Sequence, residues 1–137
     1  ELLKTAGVDA INVSTGQTVS DDKPVYGRMF QVSFADKVKH RVKIPVIVAG
    51  NITNADQVNT ILLSGRADLV ALARPHLSNP YFVLEAAARY GYRGQFWPKP
   101  YLSGQAQAYL ISEREAEEQR DIQIALKPPS HQIKDHE

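Results

Sequence analysis

Three short apolar runs punctuate the first half of the chain, each bounded by Gly, Pro or Asp. They occupy residues 8–14 (Val8, Ala10, Ile11 and Val13 apolar), 46–49 after Ile44-Pro45, and 69–73. Short continuous apolar runs of this kind are what parallel strands covered on both faces look like. Between them the period lengthens. Phe30, Phe34, Val38 and Val42 recur every fourth position, with Lys37, Lys39 and Arg41 elsewhere, which predicts an amphipathic helix over 30–42. In residues 54–64, Val58, Ile61 and Leu62 share one face, Thr53 or Asn54 can cap the start, and Gly65 ends it. A third helix is predicted with Asn79 as N-cap and Pro80 at its first position, running through Glu85 to Arg89 and stopping at Gly91.

Residues 1–7 have the pattern of a helix end closed by Gly7. The order is therefore a helix end followed by three strand–helix units. Such alternation gives a parallel sheet with right-handed crossovers. Three strands cover one another poorly, and a complete (β/α)₈ barrel takes about 250 residues. The chain has 137. We expect a piece of a longer protein.

The second half is patterned differently. Residues 92–104 are rich in aromatics, Gly and Pro (Tyr92, Phe96, Trp97, Pro98, Pro100, Tyr101) and read as an irregular packed loop. Residues 105–121 are helix-like and strongly charged towards their end, and 127–137, with Pro128-Pro129, read as a mobile tail. The expected divisions are a barrel portion over 1–105, a helical extension over 106–126, and the tail.

Composition narrows the function. Hydrophobic residues make up 43%, enough for a core, and the net charge of +1 gives no reason to expect nucleic acid or an anionic membrane as partner. With no cysteine there is neither a disulfide framework nor a thiolate site. The apolar runs are far shorter than the ~18 residues of a membrane span. No charged-then-apolar leader is visible, and the expected location is the cytoplasm. His40, His76, His131 and His136 have no partner at metal-ligand spacing, so no metal is expected.

The candidate chemistry lies at strand ends, where parallel α/β folds collect ligands. Gly50-Asn51 follows the second strand and Ala73-Arg74 the third. A glycine lets an anion approach the backbone amide, and an arginine grips phosphate with two bonds. On spacing alone, Gly50 also reads as a turn glycine and Arg74 as the partner of a carboxylate. Residues 12–16 end the first strand with hydroxyls and a glycine that either face a ligand or bond the local backbone. The polar loop 21–28 puts Tyr26 and Arg28 on the ligand side by topology, though Arg28 also reads as a partner for Asp21 or Asp22.

These residues resemble a known family. Gly7-Val8-Asp9-Ala10-Ile11-Asn12-Val13-Ser14-Thr15-Gly16 is similar to the sixth barrel strand of the old yellow enzyme family (NADH:flavin oxidoreductase / NADH oxidase). Ile44-Pro45-Val46-Ile47-Val48-Ala49-Gly50-Asn51-Ile52 resembles the seventh. Residues 65–75, with Leu77-Ser78-Asn79-Pro80, resemble the eighth and the helix after it. The later aromatic run, Phe96-Trp97-Pro98-Lys99-Pro100-Tyr101, is similar to a subgroup fused behind a flavin monooxygenase domain, as in salicylyl-CoA 5-hydroxylase-like proteins.

The resemblance implies an α/β fold, the C-terminal part (about strands 6–8) of a TIM (β/α)₈ barrel, binding FMN and using NAD(P)H as reductant. It implies that Gly50, Asn51, Ala73 and Arg74 hold the FMN phosphate, with Tyr26 and Arg28 towards the substrate. The substrate would be a small molecule, an activated alkene or an aromatic acyl-CoA derivative. Where this chain has Ala73 the family usually has glycine, which would cost ~1 kcal/mol if the position needs positive φ. In some relatives the chain end reaches a neighbouring subunit's site, which makes Lys99 and Tyr101 candidates for that contact. The family's paired His/Asn or His/His and its proton-donor tyrosine precede the part seen here, so no catalytic residue is assigned and the chain alone is expected to be inactive. An incomplete barrel exposes sheet edges, which predicts a homo-oligomer. A different phosphate-binding barrel and a non-enzymatic α/β oligomerisation module remain alternatives.

Overall fold

The computed structural model describes residues 1–16 and 18–126. The expected tail, 127–137, lies outside the described residues. The chain forms two compact units, residues 1–80 and 81 onward.

The first unit contains α1 (Leu2–Thr5), β1 (Ile11–Val13), α2 (Val32–Val42), β2 (Val46–Val48), α3 (Ala55–Leu63), β3 (Leu69–Val70) and the short α4 (Arg74–Ser78). The three strands form one parallel sheet in the order β1-β2-β3. The strands are shorter than the apolar runs that predict them. The chain leaves the ladder after Val13, Val48 and Val70 and turns over the carboxyl ends, which creates the space described below.

Register explains the core. Val13 pairs with Val48, and Val48 with Val70. Val13, Val46 and Val48 are buried together with Val32 and Ala35 of α2, Ile61 of α3, and Ile52 and Ala67. The alternate row, Asn12–Ile47–Leu69, is continuous across the sheet and faces the other way. Asn12 is exposed and Leu69 is 58% exposed. In the described residues, then, one face of the sheet is covered and the other is open, where the apolar runs predict cover on both.

Helix boundaries follow local chemistry. Asn54 caps α3, its side chain accepting from the Gln57 amide at 2.9 Å, and the Gln57 carboxamide accepts in turn from the Thr53 amide at 2.9 Å. Gly65 ends α3 with φ of +70°, donating to Leu62 while Arg66 donates to Ile61, the paired bonds of a Schellman motif. Gly7 and Gly91 close α1 and α5 (Phe82–Arg89) with the same pair of bonds.

Two expectations need correction. Asn79 does not cap the start of α5; it ends α4, its amide donating to Pro75, and Tyr81 precedes α5. The apolar run of β3 leads into an extra helical turn that periodicity cannot reveal in five residues. The buried stripe of α2 is Val32, Ala35 and the partly buried Val38, whereas Phe34 is 48% exposed and Phe30 precedes the helix. Of the expected ladder, Val38 packs against the core while Phe34 turns outward.

The second unit comprises α5, a 3₁₀ turn (Lys99–Tyr101) and the long α6 (Leu102–Ala125), which absorbs the end of the expected loop. Tyr109 of α6 is its anchor at 1% exposure. Its hydroxyl donates to the Tyr92 carbonyl, its ring lies 6.3 Å from that of Trp97, and the Arg93 guanidinium sits 4.1 Å above it while bonding Glu113 at 2.9 Å. The Tyr81 hydroxyl donates to that of Tyr101 at 3.2 Å, and this bond first holds the Tyr81 phenol above its ordinary range.

Candidate functional site

At the carboxyl ends of the strands the first unit has two adjoining hollows of about 550 and 580 Å³. One is lined by residues 49–53, 71–75 and Ser78, and the other by Ser14, Thr15, Gly16, Tyr26, Phe30 and Gln31. Gly50, Asn51 and Arg74 line both and form the wall between them. The structure therefore brings together Gly50, Asn51, Ala73, Arg74 and Tyr26. It does not bring in Arg28, which is exposed and lines neither hollow.

Each of these positions has a local cause. Gly50 follows β2 with φ of +105°, a conformation that disfavours a side chain. A Cβ built there would also run into Gln31, at 2.9 Å from both its Cγ and Cδ and closer still to its Nε2. Asn51 has φ of +50°, which asparagine tolerates best after glycine. Its Nδ2 donates to the Gly27 carbonyl at 3.0 Å and its own carbonyl accepts from the Met29 amide at 3.1 Å. The Asn51 Nδ2 and carbonyl are thus committed to the 27–29 loop, and its backbone amide remains for a ligand. Ala73 precedes α4 with φ of −108°. No positive φ is needed there, so alanine in place of glycine carries no strain.

Tyr26 stands edge-on to Phe30, with ring centroids 5.2 Å apart. The Thr15 amide donates to Gln31 Oε1, which fixes the end of β1. Gln31 is 5% exposed and is the residue that sequence reasoning misses. Its signal, one polar residue between Phe30 and Val32 just before a helix, is faint.

The electrostatics favour an anion. Arg74 is the charged residue lining the hollows; no carboxylate lines either among the described residues, and hydroxyls come from Ser14, Thr15, Tyr26, Thr53 and Ser78. Asp68, the nearest acid in sequence before Arg74, is occupied elsewhere, bonding Lys39 at 2.9 Å and the Val46 amide at 2.8 Å. These residues fit the phosphate of FMN: a glycine backbone open to the hollow, a guanidinium, and no competing acid. Among the described residues no three His, Cys, Asp or Glu gather as metal ligands, and no helix is long and apolar enough to cross a membrane.

Comparison with known proteins finds related chains. The chain is 42% identical over 89 residues to an NADPH dehydrogenase of Listeria innocua, which covers 65% of this chain and 26% of that protein. It is 43% identical over 89 residues to an NADPH dehydrogenase of Geobacillus sp. (strain WCH70), 65% and 26% respectively. It is 38% identical over 94 residues to an NADPH dehydrogenase of Clostridium acetobutylicum, 69% and 27%. The chain thus spans about a quarter of the length of the curated relatives it matches. The parallel strands alternating with helices are those of part of a (β/α)₈ barrel. The model of the NADH:flavin oxidoreductase / NADH oxidase family matches residues 1–90, both hollows included, and the chain belongs to that family.

Proposed function

We propose that this chain supplies the FMN-phosphate grip of an FMN-dependent NAD(P)H oxidoreductase of old yellow enzyme type. The observation that carries the reading is the convergence of Gly50 and Arg74 in one carboxylate-free wall at the strand ends. Gly50 and Asn51 offer backbone from one strand end, Ala73 and Arg74 from the next, and the guanidinium neutralises the phosphate. Bound FMN would supply hydride transfer from NAD(P)H to a small-molecule acceptor such as an activated alkene. The names of the relatives support NADPH as reductant. Tyr26 lines one hollow beside Gly50 and Arg74, which supports its place towards the substrate, and Arg28 belongs to the same loop.

The test is a flavin fluorescence titration of the chain with FMN and with riboflavin, which lacks the phosphate. FMN binds more tightly than riboflavin, and Arg74→Ala removes most of that preference. Equal affinities for the two flavins in the unaltered chain would refute the phosphate reading.

By the same proposal the chain alone does not turn over NADPH with an enone, because none of its residues is assigned the proton-transfer and oxyanion roles. Measurable turnover overturns this. The open sheet face around Leu69 supports self-association, and light scattering that shows a monomer at high concentration argues against it.

A further inference from the structure

We propose that Gln31 is a positioning residue of the phosphate hollow: its carboxamide sets the ends of β1 and β2 against each other, so that Gly50 and Arg74 present a preformed anion site. The inference rests on the phosphate reading above and adds to it a residue that contributes through its neighbours.

Val13 pairs with Val48 at the last rung of the β1–β2 ladder, so Thr15 and Gly50 stand two residues further on, at one level beyond it. The Gln31 carboxamide bridges this level. Its Oε1 accepts from the Thr15 amide, and its carboxamide packs so tightly beneath Gly50 that no Cβ fits there. Gln31 is itself held from behind, its carbonyl accepting from the Phe34 and Ala35 amides at 3.1 Å each as α2 begins. The neighbouring Met29 amide donates to the Asn51 carbonyl, and Asn51 Nδ2 donates to Gly27. Three contacts thus tie the 27–31 segment to the 50–51 strand end. A leucine at 31 would fill the volume but take away the acceptor of the Thr15 amide and release the end of β1 from Gly50.

A residue that only filled the core would affect all ligands alike. A positioning residue affects the phosphate selectively. With Gln31→Leu we expect FMN affinity to fall about tenfold while riboflavin affinity stays as it was, a loss in line with one hydrogen bond removed. Gln31→Asn keeps a carboxamide but is one methylene too short to hold Thr15, and guards against a leucine variant that does not fold. The FMN-over-riboflavin preference is again reduced. Preference unchanged in Gln31→Asn, or FMN and riboflavin affinities that fall together in Gln31→Leu, overturns the positioning role while leaving the phosphate reading intact. Equal affinities in the unaltered chain sink the phosphate reading and this proposal with it.

Discussion

Asp68 and Val46 hold each other twice: the Val46 amide donates to Asp68 Oδ2 at 2.8 Å, and the Asp68 amide donates to the Val46 carbonyl at 2.8 Å. The other carboxylate oxygen takes the Lys39 ammonium at 2.9 Å, so one side chain links the starts of β2 and β3 to α2. The Lys39 bond first, and the Val46 amide second, hold the Asp68 carboxyl below its usual range. A carboxyl lowered by folding contributes stability that is present above its unfolded value of about 3.9 and is lost as pH falls through the lower folded value. Asp68→Asn therefore destabilises the chain at pH 7, and the gap between it and the unaltered chain narrows towards pH 3. Urea unfolding of both at the two pH values measures the gap, and a gap of constant size contradicts the assignment.

Gly50→Ala tests the tightest point of the site. The alanine must adopt φ of +105° and place its Cβ in the Gln31 side chain. Left-handed backbone costs about 1–2 kcal/mol and overpacking about 1–3, so a loss of about 2–5 kcal/mol is expected. The double variant Gly50→Ala, Gln31→Ala recovers the overpacking part and leaves the backbone part, which a double-mutant cycle of denaturation free energies reads directly. Additive losses would show that Gln31 and Gly50 do not meet.

Ala73→Gly restores the family's usual residue and is expected to stabilise nothing. Ala73 already has φ of −108°, so glycine relieves no strain and only adds freedom to the unfolded chain. Stability falls by about 0.5–1 kcal/mol. A rise in the melting temperature of Ala73→Gly would mean that the position samples positive φ.

Much of this was legible in the chain because it depends on local chemistry. The Gly65 and Gly91 helix stops, the Asn54 cap and the three parallel strands all follow from residues within a few positions of one another. The hollow around Gly50 and Arg74 was legible because strand ends bring their following residues together whatever lies between. What escaped were contacts across the sequence that share no spacing. Gln31 meets Thr15 across a long loop, and Gly50 only after α2 has returned the chain to β2. Asp68 finds Lys39 and Val46 the same way, and Asn51 turns its carboxamide to Gly27 because its φ of +50° aims it there. The true start of α5 was missed because α4 spends Asn79 as its own end.

Tyr109 holds the second unit through both its ring and its hydroxyl, and two substitutions separate the contributions. Tyr109→Phe keeps the ring against Trp97 and beneath Arg93 but leaves the Tyr92 carbonyl without its donor. The expected loss is about 1 kcal/mol, rising if the carbonyl stays dry. Tyr109→Ala also removes a side chain that is 1% exposed, and the cavity raises the loss to about 3–5 kcal/mol. Without the ring, the Arg93 guanidinium loses its cation–π partner, so Arg93→Ala costs less in the Tyr109→Ala background than alone. Tryptophan fluorescence from Trp97 reports the unfolding of this unit directly, since it is the sole tryptophan. If Tyr109→Ala leaves the Trp97 transition in place, the unit is anchored elsewhere.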